Sequence, residues 1–129
     1  MNLVLRSGID LVDVHRVADL IEAGGDAFVR NVWTKAEQAY CEGNPERLAS
    51  RWGAKEATMK ALGLGFPDVS FRDIEVTSSV GHQPGLHLHG AAATAADALG
   101  LNDWSVSLSH EGGLAIAFVI GTGTGTSTR

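Results

Sequence analysis

The chain has 129 residues, 44% of them apolar and 19% charged, with a net charge of −5. That length and composition fit one globular domain with a sizeable core and exclude a disordered chain. The negative total argues against general nucleic-acid binding, and no apolar run reaches the roughly 20 residues that a membrane-spanning helix needs.

The opening "MNLVLRSGID" passes from a short apolar run straight into charge and lacks a secretory pattern. A single cysteine, Cys41, excludes an internal disulfide and fits a reducing compartment, so a cytoplasmic location is expected. Its surroundings mark it as a small half-buried hydrophobe rather than a reactive thiol. Nine of the ten Lys and Arg residues lie between Arg6 and Arg72. The first half of the chain is therefore able to build a basic face for an anionic partner, although ordinary helix-surface charge gives the same distribution.

In chain order, "LVLRSGIDLVDV" alternates and predicts a strand containing, or followed by, a bend at Gly8. "RVADLIEA" predicts a short helix ended by Gly24-Gly25. In "TKAEQAYCEG", Thr34 and Glu37 have capping-box spacing at the start of a second helix. Asn44 and Pro45 open a third helix that runs to Leu62 and stops at Gly63. "SFRDIEV" predicts a strand, "GHQPG" a turn and "LHLH" a short strand. "AAATAADAL" predicts a helix stopped by Gly100. "WSVSLSH" and "LAIAFVI" predict two strands joined by an "EGG" hairpin. The domain is expected to span residues 1–120, with the Gly/Thr-rich 121–129 as a disordered tail. Helices early and antiparallel strands late give an α+β fold, with the long helix packed on an antiparallel sheet.

The third helix carries the strongest chemical signal. Trp52, Glu56 and Lys60 recur every fourth residue and share one stripe; Arg51 and Lys55 form a second beside it. An exposed Glu–Lys pair explains the first stripe without any function. The helix is otherwise rich in small residues, among them Ala49, Ser50, Gly53, Ala54, Ala57 and Ala61. These allow close approach by a neighbouring element or by a ligand. Gly63 and Gly65 bracket Leu64, and glycines let backbone amides approach an anion. Asp10 follows Gly8-Ile9. Two hard carboxylates from different elements, Asp10 and Glu56, suit Mg²⁺, which takes one or two carboxylates alongside substrate phosphates. His87 and His89 alternate on one strand with no evident third metal ligand.

Four segments, "GIDLVDVHRV", "FVRNVWTKAEQAYC", "RLASRWGAKEATMKALGLG" and "SLSHEGGLAIAFVI", together resemble the small holo-acyl-carrier-protein synthases of the 4′-phosphopantetheinyl transferase superfamily. The resemblance runs from Gly8 to Ile120. It rests on the spacing of Trp52, Lys55, Glu56 and Lys60 and on the Gly8-Ile9-Asp10 marker.

The resemblance implies Mg²⁺-dependent transfer of the 4′-phosphopantetheine arm from coenzyme A to a serine of an apo acyl or peptidyl carrier protein, releasing 3′,5′-ADP. By the same analogy Asp10 and Glu56 hold the metal, and Lys60 contacts the phosphates. Glu56 or a metal-bound water takes the serine proton. Arg51, Ser109 and His110 fall where the family holds the 3′-phosphate and ribose end; Gly63 and Gly65 close over the cofactor, and Pro84 lies near adenine. Arg16 falls where such enzymes meet the acidic helix of the carrier. A homotrimer with sites between subunits is implied as well.

Leu64 stands where the family usually has Thr, Gly53 where it usually has Ala, and Leu114 where an aromatic is common. Two alternatives stay open: a non-catalytic carrier-docking subunit, and another Mg²⁺-dependent enzyme that cleaves a nucleotide-like pyrophosphate.

Overall fold

The computed structural model describes residues 2–124. A ten-residue strand, β1 (Val4–Asp13), leads into α1 (Val14–Val32). Asp13 caps α1 by accepting from the His15 and Arg16 amides. The predicted stop at Gly24-Gly25 is a break rather than an end. Gly25 takes φ 64 and ψ −155, and a second helical stretch follows at once to Val32.

Thr34 and Glu37 form the expected capping box of α2 (Lys35–Cys41). The long helix α3 (Pro45–Leu62) has Asn44 as its N-cap, Pro45 in its first turn and Gly63 as a left-handed C-cap, all as read from the sequence. Beyond it, the predicted "SFRDIEV" strand splits. Ser70 caps a single 3₁₀ turn at Phe71–Asp73, and only Ile74–Thr77 forms β2. β2 pairs with β3 (Gly85–Leu88) as a separate two-stranded sheet. Then come α4 (Gly90–Ala98), β4 (Asp103–Glu111) and β5 (Leu114–Gly123).

The main sheet has the order β1-β5-β4, antiparallel throughout. Strand β5 continues through Gly121–Gly123, paired with Arg6, Leu5 and Val4, so the ordered chain extends three residues into the segment expected to be tail. Thr124 follows the strand, and residues 125–129 of the expected tail lie outside the described residues.

Alternation divides the sheet into two faces. Gly8, Val12, Ala115, Ala117, Val119 and Val106 turn inward and are buried against α3. The small residues of α3 are explained by this packing. Gly53 lies over Val12 and Ala117; a Cβ on it would meet the Val12 Cγ2 at 3.2 Å and the Ala117 Cβ at 3.3 Å. Gly8 is not a bend. It sits inside a continuous strand, where a Cβ would collide with the carbonyl of Ala57. The helix backbone therefore rests almost directly on β1, and Asp10 is carried to its edge.

Among the described residues nothing covers the opposite face. Leu5 is 62% exposed, Ile9 52%, Leu11 64% and Phe118 42%, and register places Ile9 beside Phe118 and Leu11 beside Ile116.

Candidate active site

At the C-terminal half of α3, the Lys60 Nζ donates to the Ile9 carbonyl at 2.8 Å and to the Asp10 Oδ1 at 3.2 Å. The expected Glu56–Lys60 surface pair is thus replaced by a bridge from helix to strand. Lys60 keeps more than half of its side chain in solvent, whereas Asp10 is only 18% exposed.

Glu56 sits beside this bridge, half-buried. Burial holds its carboxyl above the usual carboxylate range, and the charge of Asp10 pushes the same way; Lys60 and Arg16 pull against them. That balance places Asp10, Glu56, Lys60 and Arg16 in one electrostatic neighbourhood although they come from β1, α3 and the first turn of α1. Among the described residues, no group of three or more His, Cys, Asp or Glu side chains could hold a metal alone. Two mutually repelling oxygen donors still fit Mg²⁺, which leaves most of its coordination to water and substrate phosphate.

The glycine loop behaves unevenly. Gly63 has φ 73, and its amide bonds back to the Lys60 carbonyl while that of Leu64 bonds to Met59, so a C-cap accounts for Gly63. The Arg6 Nε donates to the Ala61 carbonyl at 2.9 Å and completes the helix end. Gly65 has open space where a Cβ would lie, so no packing inside the chain demands a glycine there. Leu64 beside it is 40% exposed.

Farther back along α3, a cavity of about 440 Å³ gathers Arg51, Pro84, Ser109 and His110, four residues from three parts of the sequence. Its wall also contains Tyr40, Arg47, Ser50, Gln83 and Ser107, which the sequence reading did not single out. Arg47 had a local signal, standing four residues before Arg51 and so on the same side of the helix. Tyr40 had none, since its place depends on how α2 packs against α3.

Arg51 is almost fully buried and held from three sides. Its Nη1 donates to the Ser50 Oγ at 3.1 Å, its Nη2 donates to the Ser78 Oγ at 2.9 Å, and its guanidinium carbon lies 4.9 Å from the centre of the Tyr40 ring. Arg47 sits over the same ring at 5.3 Å. At the rim, the His110 Nδ1 and the Glu46 Oε2 are 2.8 Å apart. Two guanidinium groups, an imidazole and several hydroxyls suit a phosphorylated ligand. A slightly larger hollow of about 470 Å³, bordered by Ala18, Ile21, Val29 and Leu48, has no charged group in its wall.

Lys55 belongs to neither place. It is completely buried, its Nζ donating to the Glu37 Oε1 at 2.8 Å, the Phe71 carbonyl at 3.0 Å and the Ile74 carbonyl at 2.6 Å. Burial pulls its ammonium below the usual lysine range, and Glu37 opposes that pull. Glu37 in turn accepts from the Thr34 and Val76 amides, each at 2.8 Å. Cys41 is fully buried rather than half-buried, and burial pushes its thiol up. His87 and His89 do share a face, their rings stacked 4.4 Å apart. The His89 Nε2 lies 3.0 Å from the Glu75 Oε1, a local side-chain contact.

No helix of the described residues is long and apolar enough to cross a membrane. The model of the 4′-phosphopantetheinyl transferase superfamily matches residues 6–119. A holo-[acyl-carrier-protein] synthase of Herpetosiphon aurantiacus is 45% identical over 93% of this chain and all of its own length. That of Chloroflexus aggregans is 42% identical over 91% of this chain and 94% of its own. Among solved structures, the Helicobacter pylori enzyme in complex with coenzyme A superposes with a TM-score of 0.80 at 28% identity, covering 89% of this chain and 98% of that one. The Neisseria meningitidis enzyme gives 0.79 at 32%, covering 90% and 96%. Matches over nearly the whole length on both sides, on a fold that sets a carboxylate pair and a cationic cavity along one helix, place the chain in the 4′-phosphopantetheinyl transferase superfamily, among its small holo-acyl-carrier-protein synthases.

Proposed function

We propose that this enzyme transfers the 4′-phosphopantetheine arm of coenzyme A to a serine of an apo acyl or peptidyl carrier protein, with Mg²⁺, and releases 3′,5′-ADP. The observation that carries the reading is the arrangement along α3. The Asp10–Glu56–Lys60 cluster lies toward one end and the Arg51–His110 cavity toward the other.

Arg51, Ser109 and His110 take the 3′-phosphate and ribose end of the donor, with Pro84 against the adenine. Lys60 meets the pyrophosphate, and Gly65 leaves room for the donor to pass Gly63 and the loop. Asp10 and Glu56 would hold Mg²⁺, which when bound supplies charge neutralisation at the pyrophosphate. The serine oxygen forms a new P–O bond to the phosphorus that bears the pantetheine arm. The P–O bond of the pyrophosphate breaks, and 3′,5′-ADP leaves with the electron pair. The Glu56 carboxylate takes the serine proton. Arg16, exposed beside this cluster, receives the acidic surface of the carrier protein and steers its serine inward.

The enzyme works as a homotrimer whose subunits cover the bare apolar face of the main sheet. Ile9, Leu11, Ile116 and Phe118 form a contiguous surface that is unusual on a free monomer. It acts in the cytoplasm, where Cys41 stays reduced.

The test is intact-mass spectrometry of apo carrier proteins incubated with the enzyme, coenzyme A and Mg²⁺. A mass gain of one phosphopantetheine arm, lost on chelation, is expected. A carrier that binds without gaining mass would favour the docking subunit. Donor cleavage without a carrier would favour the other pyrophosphate-cleaving enzyme.

A further inference from the structure

The buried Glu37–Lys55 pair stands apart from both chemical centres, yet every element that supports Arg51 is joined by it. Arg51 lies on α3 one turn before Lys55. Its stacking partner Tyr40 lies on α2, three residues after Glu37. Its hydrogen-bond acceptor Ser78 follows directly on β2. Glu37 is on α2 and holds β2 through the Val76 amide; Lys55 is on α3 and holds the start of β2 through the Ile74 carbonyl. The pair therefore fixes α2, α3 and β2 to one another, and these are the three elements that converge on the Arg51 guanidinium. A second link supports the same joint, since the Thr34 Oγ1 donates to the Glu75 Oε2 at 2.8 Å.

We propose that Glu37 and Lys55 are positioning residues that set the plane of the Arg51 guanidinium in the cavity and thereby its grip on the donor's 3′-phosphate. This rests on the proposed donor site. A planar fork loses its advantage when its orientation is free, because bidentate contact needs both N–H directions aligned. Joining three elements through one buried pair secures that alignment without placing another charge in the cavity. Replacing both ions with apolar side chains of similar volume removes the joint without leaving a buried charge.

The test compares coenzyme A with 3′-dephospho-coenzyme A as donors, read as the ratio of their KM values. The wild-type enzyme is expected to prefer coenzyme A; absence of transfer or of this preference would overturn the donor-site reading itself. In the Glu37→Met/Lys55→Met double variant the preference is expected to fall about tenfold, the scale of one charge-assisted contact. A folded double variant with wild-type preference would overturn the positioning role.

Ser78→Ala keeps the pair and removes only the contact carried by β2, so it tests the route to Arg51 even if the double variant does not fold. It too is expected to lower the preference. An unchanged ratio in Ser78→Ala would overturn that route.

Discussion

Gly8 on β1 faces the backbone carbonyl of Ala57 on α3 so closely that no side chain fits between them. This contact sets the height of the helix over the sheet and, with it, the placing of Asp10 relative to Glu56. Gly8→Ala is expected to push α3 outward, at a cost of about 2–3 kcal/mol in stability. Turnover is expected to fall as well, and thermal melts beside steady-state rates check both. A variant that melts normally and turns over normally would show that helix and strand separate freely.

Under its proposed role as general base, Glu56→Gln is expected to stay folded and lose turnover by at least about a hundredfold. The pH dependence follows from the raised carboxyl of the free enzyme. Protonation begins above the usual carboxylate range, so the proposed metal binding and the rate are expected to fall earlier as pH drops. Under the proposed Mg²⁺ site the ion would compete with that proton, and a higher Mg²⁺ concentration is then expected to move the acid limb of the rate profile to lower pH. Asp10→Asn removes one cause of the elevation, so the free carboxyl of Glu56 should titrate lower; an NMR titration of the carboxyl carbon reads this.

Arg16→Ala is expected to raise the KM for the carrier protein and to flatten its salt dependence, with coenzyme A binding intact by calorimetry. An equal loss of coenzyme A affinity would move Arg16 to the donor site.

Lys55→Met alone leaves the carboxylate of Glu37 buried without its ion. The expected cost is about 3–5 kcal/mol, read from denaturant unfolding. The double apolar variant should recover most of that loss. Recovery of stability with continued loss of donor discrimination would separate the pair's two effects.

Phe118→Glu places a charge at the centre of the bare sheet face. Under the proposed homotrimer it is expected to yield monomers in sedimentation and to reduce activity with them, because the resemblance implies sites between subunits. A trimer that survives this substitution would place the subunit interface elsewhere.

Much of this architecture was legible because its signals are local. Asn44, Pro45 and Gly63 bounded α3 to the residue, since caps are satisfied within a turn. The Thr34–Glu37 box was legible for the same reason, but the second duty of Glu37 was not. Its bonds to Lys55 and Val76 span 18 and 39 residues, and no period in the sequence encodes them. Lys55 sits in a helix with other charges and looks solvated until β2 closes over it. Gly8 has the opposite ambiguity: a glycine in a strand marks a bend or a close approach equally well, and only the position of Ala57 decides. Glu56 and Asp10 were singled out through their family spacing, and the fold brings the two carboxyls into one electrostatic neighbourhood, whereas Tyr40 enters the cavity wall through tertiary packing.

Cys41 has a practical consequence. The chain's one thiol is fully enclosed, and burial disfavours its thiolate. The folded enzyme should therefore be silent toward maleimides and disulfide reagents. Under the proposed reaction, each turnover creates a protein-linked sulfhydryl at the tip of the transferred arm. With a cysteine-free carrier, and after removal of free coenzyme A, fluorescent maleimide would then stain only the product band, so the enzyme's own chemistry supplies the contrast for its assay.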